Sequence, residues 1–268
     1  MRRNFCCIGF FFLALLPLYG LTVEEAFEKG NQAYVRGENA LNDARKKSGP
    51  DKEFQIETAE REFQEALGSF QSCLEKAESA ALHYNLGNSF FKLGLAGHAI
   101  YHFRRAQELD PSSEEIRANL AFVRKAAGFP ELQASLYDKT LGRRPVDFWM
   151  WMLAGGFWLG VTLLVFPRMY GLGGAVIPIV GCAVLLFSFV PLWAVLQAGK
   201  FRNQAIVLDA DTALLVSPTE DSAAAAFLQS GEAVTIQPAK KQPHHFFVSS
   251  DDGEEGWVFS KHLGRIRE

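Results

Sequence analysis

Cysteine is scarce in this chain of 268 residues, and the few that occur are not spaced for common chemistry. The cysteines are Cys6, Cys7, Cys73 and Cys182. The first two lie in an N-terminal apolar run, the third in a helical segment and the last in another apolar run. No pair has the spacing of a disulfide framework or of a zinc site. The sequence therefore predicts no disulfides and no metal centre.

An excess of positive charge is also absent. The chain has 27 lysines and arginines against 30 aspartates and glutamates, which gives a formal net charge of -3 and a pI of about 6.1. Nucleic-acid binding needs a basic surface, because the phosphate backbone dominates affinity. Nucleic acid is therefore not an expected partner.

Catalytic motifs are missing as well. The sequence has no phosphate-cradling glycine loop, no metal-ligand spacing and no nucleophile elbow. The best candidate for nucleophilic chemistry is Cys73 near His83, and packing explains Cys73 better because its position in a helical repeat usually takes a small buried residue. We therefore expect no enzymatic activity, no catalytic residues and no cofactor.

Long apolar runs are present, and the first lies at the N-terminus. Two arginines precede an apolar run from Phe5 to Leu16, and Gly20 offers a small residue for cleavage. This order is typical of a secretory signal peptide. We predict a signal peptide over residues 1–20, with a retained signal anchor as the alternative. Either would export the segment that follows.

Two further apolar runs lie in the second half of the chain. We predict transmembrane helices over residues 148–166 and 172–196, because each run is free of charge and long enough to cross a hydrocarbon layer of about 30 Å. A short loop at Arg168 separates them, so they must form a hairpin with both outer ends on one side. Residues 129–147 are the predicted linker to the preceding domain.

The flanking charges and the signal sequence disagree about that side. Basic residues at the outer ends favour the cytoplasm by the positive-inside rule. They are Lys139, Arg143, Arg144, Lys200 and Arg202, against Arg168 alone in the loop. An exported N-terminal domain places the outer ends outside the cytoplasm instead. We expect the second arrangement, because export of the first domain decides where the hairpin begins.

A repeat with a period of 34 residues precedes the apolar hairpin. Sliding the sequence by this period places Asn85-Leu86-Gly87 on Asn119-Leu120-Ala121 and Gly94 on Gly128. One unit contains, in order, Leu86, Gly87, Phe90, Ala99, Phe103, Ala106 and Pro111. These residues resemble the tetratricopeptide (TPR) pattern, with His83 in place of its leading tryptophan. Small residues at the crossing let two helices approach closely, while phenylalanines fill the volume beside them.

The first unit of this repeat is interrupted. Gly30 to Gly37 parallels Gly87 to Gly94, but the second helix of the unit follows late. Its spacing reappears at Phe63, Ala66, Phe70 and Cys73. The interval at about 38–61 is thus an insert, which predicts either lengthened helices or a mobile excursion. We predict an all-α, TPR-like repeat domain over residues 21–128 that ends in a helix from Glu114 to Ala127.

The TPR resemblance also implies a binding surface. In such stacks the first helix of each repeat lines a concave groove. The residues that this arrangement projects into the groove are Asn31, Tyr34, Tyr84, Asn88, Phe91, Lys92 and Phe122. We expect them to bind a protein partner. The alternative is that the aromatic residues pack only against neighbouring helices or the insert.

Short β-prone runs separated by turns fill residues 203–268. Their rhythm predicts a small all-β barrel. Ala213 to Pro218, Leu228 to Gly231 and Gly256 to Val258 resemble, in this order, the motifs of the bacterial SH3-like domain. The resemblance implies binding of cell wall or of a peptide.

Aromatic residues near the end of this segment are the candidate ligand surface. Trp257 with Phe246 or Phe259 would supply an aromatic platform, and the alternative places Trp257 in the core. His244 and His245 suggest a metal site at first sight. We do not expect one, because adjacent histidines in a polar turn usually stay solvated.

The complete order of segments resembles BatE-type proteins of the bacterial aerotolerance (Bat) operon. The order is signal peptide, TPR-like repeats, two-span hairpin and SH3-like barrel, with local matches at Ala81 to Asn88 and Arg117 to Ala121. The resemblance implies Bat proteins with von Willebrand factor A domains as partners and, indirectly, a MoxR-type ATPase. The insert in the first repeat departs from this pattern and affects the shape of the groove.

These features together predict a multidomain, non-enzymatic scaffold. We expect it in the bacterial cytoplasmic (inner) membrane, multi-pass, with the TPR-like and SH3-like domains on the periplasmic or extracytoplasmic side. The lipid bilayer and a protein segment bound in the groove are its expected partners. The alternative is an envelope sensor or cell-wall-binding anchor that acts through the SH3-like domain.

Overall fold

The computed structural model describes residues 22–130, 141, 144–171, 174–200, 203–219, 221–250 and 252–266. The predicted signal peptide and most of the predicted linker lie outside these residues. Within them the chain is a mixed helical and β protein. The helices are α1 (Val23–Ala44), α2 (Pro50–Leu74), α3 (Ala80–Lys92), α4 (Ala96–Leu109), α5 (Glu114–Ala126), α6 (Val146–Met169), α7 (Val176–Phe187) and α8 (Phe189–Lys200). The strands are β1 (Gln204–Val207), β2 (Thr212–Leu215), β3 (Ala224–Leu228), β4 (Ala233–Lys241), β5 (His245–Ser250), β6 (Glu255–Phe259) and β7 (Leu263–Arg265).

Local signals in the sequence set the starts of the first helices. The Thr22 hydroxyl accepts a hydrogen bond from the Glu25 amide, and the Glu25 carboxylate accepts one from the Thr22 amide. This capping box starts α1. Pro50, which has no amide hydrogen to leave unpaired, starts α2. The hydroxyls of Ser79 and Ser113 accept from amides in the first turns of α3 and α5.

The pairing of α1 with α2 depends on glycines that face phenylalanine rings. A Cβ added at Gly30 would lie 2.5 Å from the Phe70 ring, and one added at Gly37 would lie 2.7 Å from the Phe63 ring. Both rings are buried, so the two helices meet along a seam of small residues. The interval 38–61 contains the end of α1, a turn and the start of α2, and both helices are therefore lengthened.

The pairing of α3 with α4 repeats this arrangement. A Cβ added at Gly87 would lie 3.1 Å from the Phe103 ring. Gly94 and Gly128 follow α3 and α5 with φ angles of 76° and 85°. In both places the amide after the glycine bonds back to a carbonyl in the last turn of its helix, as in a Schellman motif. The two glycines lie 34 residues apart because each ends its helix with the same backbone conformation.

The helices α6, α7 and α8 form an apolar hairpin. Two apolar stretches in the hairpin are Val146–Met169, which is α6, and Val176–Gln197, which covers α7 and most of α8. The mean hydropathy of an 18-residue window is 1.7 in the first stretch and 2.5 in the second, and only 6% and 22% of these windows are buried. Both are long and apolar enough to cross a membrane. A turn at Ser188 separates α7 from α8. Pro191 explains this break, because it has no amide to donate to the Phe187 carbonyl and its ring crowds that carbonyl.

Three glycines allow close contact within this hairpin. A Cβ added at Gly156 would lie 2.7 Å from the Ser188 hydroxyl, and one at Gly160 would lie 2.6 Å from Leu185. A Cβ added at Gly181 would lie 3.1 Å from the side chains of Leu163 and Leu164 on α6. Such small residues are the usual means by which apolar helices pack in lipid.

The seven strands form one antiparallel sheet in the order β3-β2-β6-β5-β4-β1-β7. The β-prone runs of the sequence account for β1, β2, β4, β5 and β6. One face of the sheet encloses an apolar cluster of Ala205, Val207, Leu214, Leu228, Val234, Val248, Val258 and Leu263. Alternate residues along each strand therefore face a common interior.

The sheet packs directly against α4. Ile206 of β1 and Ile266 after β7 are buried in the same cluster as Ile100 of α4. Gly97 lies so close to the sheet that an added Cβ would be 2.4 Å from the Leu208 carbonyl oxygen. Burying an isoleucine side chain stabilises a fold by about 1.5 to 3 kcal/mol. The helical segment and the sheet thus share a buried core.

Candidate binding surface

The seven residues predicted for the groove lie on α1, α3 and α5. Asn31 and Tyr34 lie on α1, Tyr84, Asn88, Phe91 and Lys92 lie on α3, and Phe122 lies on α5. The first six are half-buried and Phe122 is exposed. Contacts between them cross from helix to helix. We call these residues, with Glu38, Asn85, Glu115 and Asn119, the α1–α3–α5 surface.

Hydrogen bonds join the three helices across this surface. The Asn85 amide nitrogen donates to the Asn31 side-chain oxygen at 3.0 Å. The Asn119 amide nitrogen donates to the Tyr84 hydroxyl at 2.6 Å, and that hydroxyl donates to the Glu115 carboxylate at 2.7 Å. Burial and the bond to Glu115 raise the pKa of Tyr84, so its hydroxyl stays protonated.

An ion pair lies beside this network. Lys92 pairs with Glu38, which joins α3 to the lengthened end of α1. The Tyr34 ring packs 5.3 Å from the Phe63 ring, and burial together with the charge of Glu38 raises the pKa of Tyr34. This part of the surface therefore offers one cation, one carboxylate and a neutral phenol.

An aromatic pair lies where α3 meets α5. The rings of Phe91 and Phe122 are 5.5 Å apart in an edge-to-face arrangement. Phe122 keeps 59% of its surface exposed. Tyr84, by contrast, packs edge-on against Phe103 of α4. The two tyrosines thus pack partly against α2 and α4. The phenylalanine pair instead forms an apolar contact that is exposed at Phe122.

Comparisons with known proteins assign the chain to no family. No family model matches it, and searches of curated proteins and of solved structures find no match. The surface must be interpreted from its own chemistry. Side-chain amides and hydroxyls in a row, beside an ion pair and an exposed aromatic pair, can bind an extended polypeptide through its main chain and its apolar side chains.

Four members of the surface were not among the predicted site residues. They are Glu38, Asn85, Glu115 and Asn119. The register of the repeat contained a signal for two of them, because the 34-residue period places Asn85 on Asn119. Glu38 and Glu115 could be identified only from the structure, where Glu38 contacts Lys92 and Glu115 accepts a hydrogen bond from Tyr84.

A buried histidine cluster on α3 and α4 has no counterpart in the predictions. His83 Nδ1 lies 2.8 Å from His102 Nδ1, and His83 Nε2 lies 2.8 Å from a Glu78 carboxylate oxygen. Burial lowers the pKa of His83, and burial with the neighbouring histidines and Arg105 lowers that of His102 to about 3. Both rings are therefore neutral at pH 7. His83 Nε2 then donates to Glu78, and His102 Nδ1 donates to His83.

The side chains of this cluster contribute to packing between α3 and α4. The His102 ring stacks on Phe90 at 5.2 Å, and His98 stacks on the same ring at 4.9 Å. The Cys73 thiol, considered as a partner of His83, instead lies 3.4 Å from the Val23 carbonyl oxygen and is buried. Among the described residues no group of three or more His, Cys, Asp or Glu could hold a metal ion.

The aromatic platform on the sheet has different members from those predicted. Trp257 is half-buried and pairs in register with Phe247, with ring centres 5.3 Å apart. Phe246 was the wrong partner, because strand alternation turns it to the interior cluster. Phe259 lies on the Trp257 face, but its ring packs 4.2 Å from His245. Trp257 therefore lies on the outer face of the sheet beside Phe247.

Proposed function

We propose that this chain is a non-enzymatic, membrane-anchored scaffold of the bacterial envelope that binds a segment of a partner protein on the α1–α3–α5 surface. The observation that carries the proposal is the continuity of that surface across three helices that are far apart in sequence. The TPR-like repeat pattern favours a protein segment as the ligand. The BatE-type resemblance favours Bat proteins with von Willebrand factor A domains as partners and, indirectly, a MoxR-type ATPase.

The contacts suggest how the segment is held. Phe122 and Phe91 provide an apolar contact for a large side chain of the partner. The row of Asn31, Asn85 and Asn119 amides can exchange hydrogen bonds with a main chain laid across the helices. Asn31 and Asn85 are already held by a bond to each other, and Asn119 by its bond to Tyr84, so little ordering entropy is lost on binding.

In this proposal the apolar hairpin anchors the α1–α3–α5 surface near a membrane. α8 ends at Lys200 and β1 begins at Gln204, so three residues separate the last apolar helix from the sheet. The sheet in turn shares a core with α4. In the proposed scaffold the helical segment and the sheet therefore lie together on one side of the inner membrane, which is the periplasmic side if the N-terminal signal directs export.

Replacing Tyr84, Asn88 and Phe91 together with alanine tests the surface. We expect binding of a purified von Willebrand factor A-domain Bat protein from the same bacterium to weaken by at least about 30-fold, because the loss of even one hot-spot residue costs about 2 kcal/mol. Calorimetry on the detergent-solubilised chain measures the affinity.

Phe54→Ala is the matched control for this variant. Phe54 is 60% exposed on α2 and lies outside the α1–α3–α5 surface, so its loss should leave affinity unchanged. Circular dichroism must show that both variants keep their helices. Equal affinity of the triple variant and the unchanged protein rejects the surface as the binding site.

A second candidate function is that of an envelope sensor or cell-wall-binding anchor that acts through an SH3-like sheet. It is favoured by the outer face of the sheet, where Trp257 pairs with Phe247 and the Lys240 ammonium lies 3.8 Å from the centre of the Phe247 ring. Phe227 on β3 is 67% exposed. Aromatic faces of this kind bind sugars and peptides by stacking.

Retention on purified cell wall separates the two functions. Wall binding predicts that the full chain in detergent sediments with insoluble wall material and that Trp257→Ala releases it. A scaffold that works only through its helices predicts no retention of either protein. The triple α1–α3–α5 variant serves as the control, because it should not alter sedimentation with the wall.

A further inference from the structure

A cleft opens at one end of the sheet, distinct from the Trp257–Phe247 pair. It has a volume of about 580 Å³ and lies where the β4–β5 turn meets the end of β6 and the β2–β3 connection. Its apolar walls are Pro218, Pro243 and Phe259, and its basic lining residues are His244, His245 and Lys261. None of the described residues that line it carries a carboxylate.

Two main-chain hydrogen bonds fix the backbone that lines the cleft. The Gln242 amide donates to the His245 carbonyl at 3.2 Å, which closes the β4–β5 turn. The Ser260 amide donates to the His244 carbonyl at 2.9 Å, which ties that turn to the segment after β6. The β4–β5 turn and the segment after β6, which both line the cleft, are therefore held together before any ligand binds.

His245 carries the signal for a ligand. Its side chain lines the cleft and is 7% exposed, with its ring 4.2 Å from the Phe259 ring. Its Nε2 atom is buried without a hydrogen-bond partner. A buried polar nitrogen without a partner is destabilising, and such atoms mark places where a ligand or water completes the bonding.

The other lining groups indicate the charge of that ligand. The Lys261 ammonium lies 5.5 Å from the centre of the Phe259 ring, and the His244 side chain is exposed beside it. One permanent cation and two imidazoles, with no acid among the described lining residues, favour an anion. The prolines and Phe259 favour an anion carried on an apolar body.

We propose that this cleft binds an organic anion, in which a carboxylate or phosphate group meets His245 and Lys261 while an apolar body packs between Pro218, Pro243 and Phe259. This site goes beyond the scaffold function and does not depend on the α1–α3–α5 surface. The proposed ligand of the sheet is therefore negatively charged, and it is either a small molecule or the terminal group of a larger one.

Side-chain nitrogen NMR of the full chain in detergent, labelled at the histidine rings, tests the site. The probes are benzoate, phenyl phosphate and the neutral benzyl alcohol, each added up to about 10 mM to reach weak millimolar affinities. We expect a saturable shift of the His245 Nε2 resonance with at least one anion, and at least about tenfold weaker binding of benzyl alcohol. The better anion identifies the carboxylate or the phosphate as the preferred group.

Two variants and a control complete the experiment. His245→Phe keeps a ring on Phe259 and removes the unpaired nitrogen, so it should keep the fold and raise the melting temperature. Its loss of binding is read from the His244 resonance. Lys261→Gln should weaken anion binding about fivefold or more, while Lys125→Gln, an equal loss of charge on α5, should not.

Three results overturn the proposal. They are the absence of a saturable shift with either anion, equal affinity for benzoate and benzyl alcohol, and unchanged anion binding by the folded His245→Phe variant. None of them bears on capture of a partner segment by the helices, so failure of this site and failure of the scaffold function are distinguishable.

Discussion

His83 and His102 are buried with their rings in contact, and this burial lowers the pKa of both and so disfavours their charged forms. The groups that face them are Glu78, which bonds His83, and Arg105, which pairs with the same carboxylate. His98 stacks beside His102 on Phe90 and also has a lowered pKa through burial. One acid thus serves both Arg105 and His83, and a proton added to either ring would place like charges together in the core.

Acid should therefore destabilise the folded chain. The pKa values of His83, His98 and His102 are lowered by folding, so below about pH 6.5 the unfolded chain binds more protons than the folded one. For His102 this continues down to its folded pKa of about 3 and costs about 1.4 kcal/mol per pH unit. Thermal melts by circular dichroism should show a falling melting temperature from pH 7.5 to pH 5.

Substitutions of single histidines separate this effect from general acid denaturation. His102→Phe keeps a ring against Phe90 and removes one of the titrating groups, so the fall in melting temperature with pH should become shallower. His244→Gln, which removes an exposed histidine outside this cluster, is the matched control. An equally steep slope in His102→Phe would exclude the buried histidine as a source of the acid sensitivity.

The helical pairs are specified by the size of single residues. Gly30→Ala introduces a Cβ that would lie 2.5 Å from the buried Phe70 ring, so either the ring or the helix must shift. Overpacking of this kind costs about 1 to 3 kcal/mol, which exceeds the gain of about 1 kcal/mol that alanine brings to a helix. We expect a lower free energy of unfolding, measured by urea denaturation followed at 222 nm.

Gly68→Ala in α2 is the matched control. A Cβ at Gly68 meets no atom within 4 Å, so the substitution should stabilise the chain by about 1 kcal/mol through helix propensity alone. If the free energy of unfolding falls for Gly30→Ala and rises for Gly68→Ala, steric fit rather than glycine content determines the pairing of α1 with α2. Stabilisation by both substitutions would contradict the close crossing at Phe70.

Elements with strong local signals could be predicted from the sequence, and those without them could not. The capping serines, Pro50 and the paired glycines after α3 and α5 fix helix ends through nearby atoms. β3 has three consecutive alanines and no β-branched residue, so its pairing with β2 is decided by tertiary contact. Likewise, the placement of the predicted groove residues on α1, α3 and α5 follows from the TPR-like repeat pattern, whereas the histidine pair requires knowledge of which helices touch.

The docking of the sheet on α4 is the main feature of the whole molecule that local patterns do not reveal. Its trace in the sequence is the continuous apolar run of β1, since Ala205, Ile206 and Val207 are all fully buried. Alternation turns Ala205 and Val207 to the interior of the sheet and Ile206 to the helices. Because both faces of such a strand are covered, its residues must all be apolar. The apolar run therefore indicates that the second face is buried but does not identify the element that covers it.

This shared core makes a prediction about topology. Ile100, Ile206 and Ile266 are buried between α4 and the sheet, and each would lose about 1.5 to 3 kcal/mol if a bilayer separated the two segments. Reporter fusions at the C-terminus and after Ala127 should therefore report one compartment, while a fusion at Arg168 reports the other. Accessibility of these sites to a membrane-impermeant thiol reagent, after cysteine substitution, measures the same arrangement independently.

Removing α7 and α8, which form the second apolar segment, tests the same prediction from the opposite direction. Deleting residues 172–200 leaves one apolar helix long enough to cross a membrane, and in the proposed anchored arrangement this would carry the sheet to the far side. The α4 face that holds Gly97 and Ile100 would then be uncovered, and the helical segment should melt at a lower temperature and become sensitive to protease. If the deletion left both the melting temperature and the C-terminal compartment unchanged, the sheet and the helices would not depend on a common side, and the anchored scaffold would lose its structural basis.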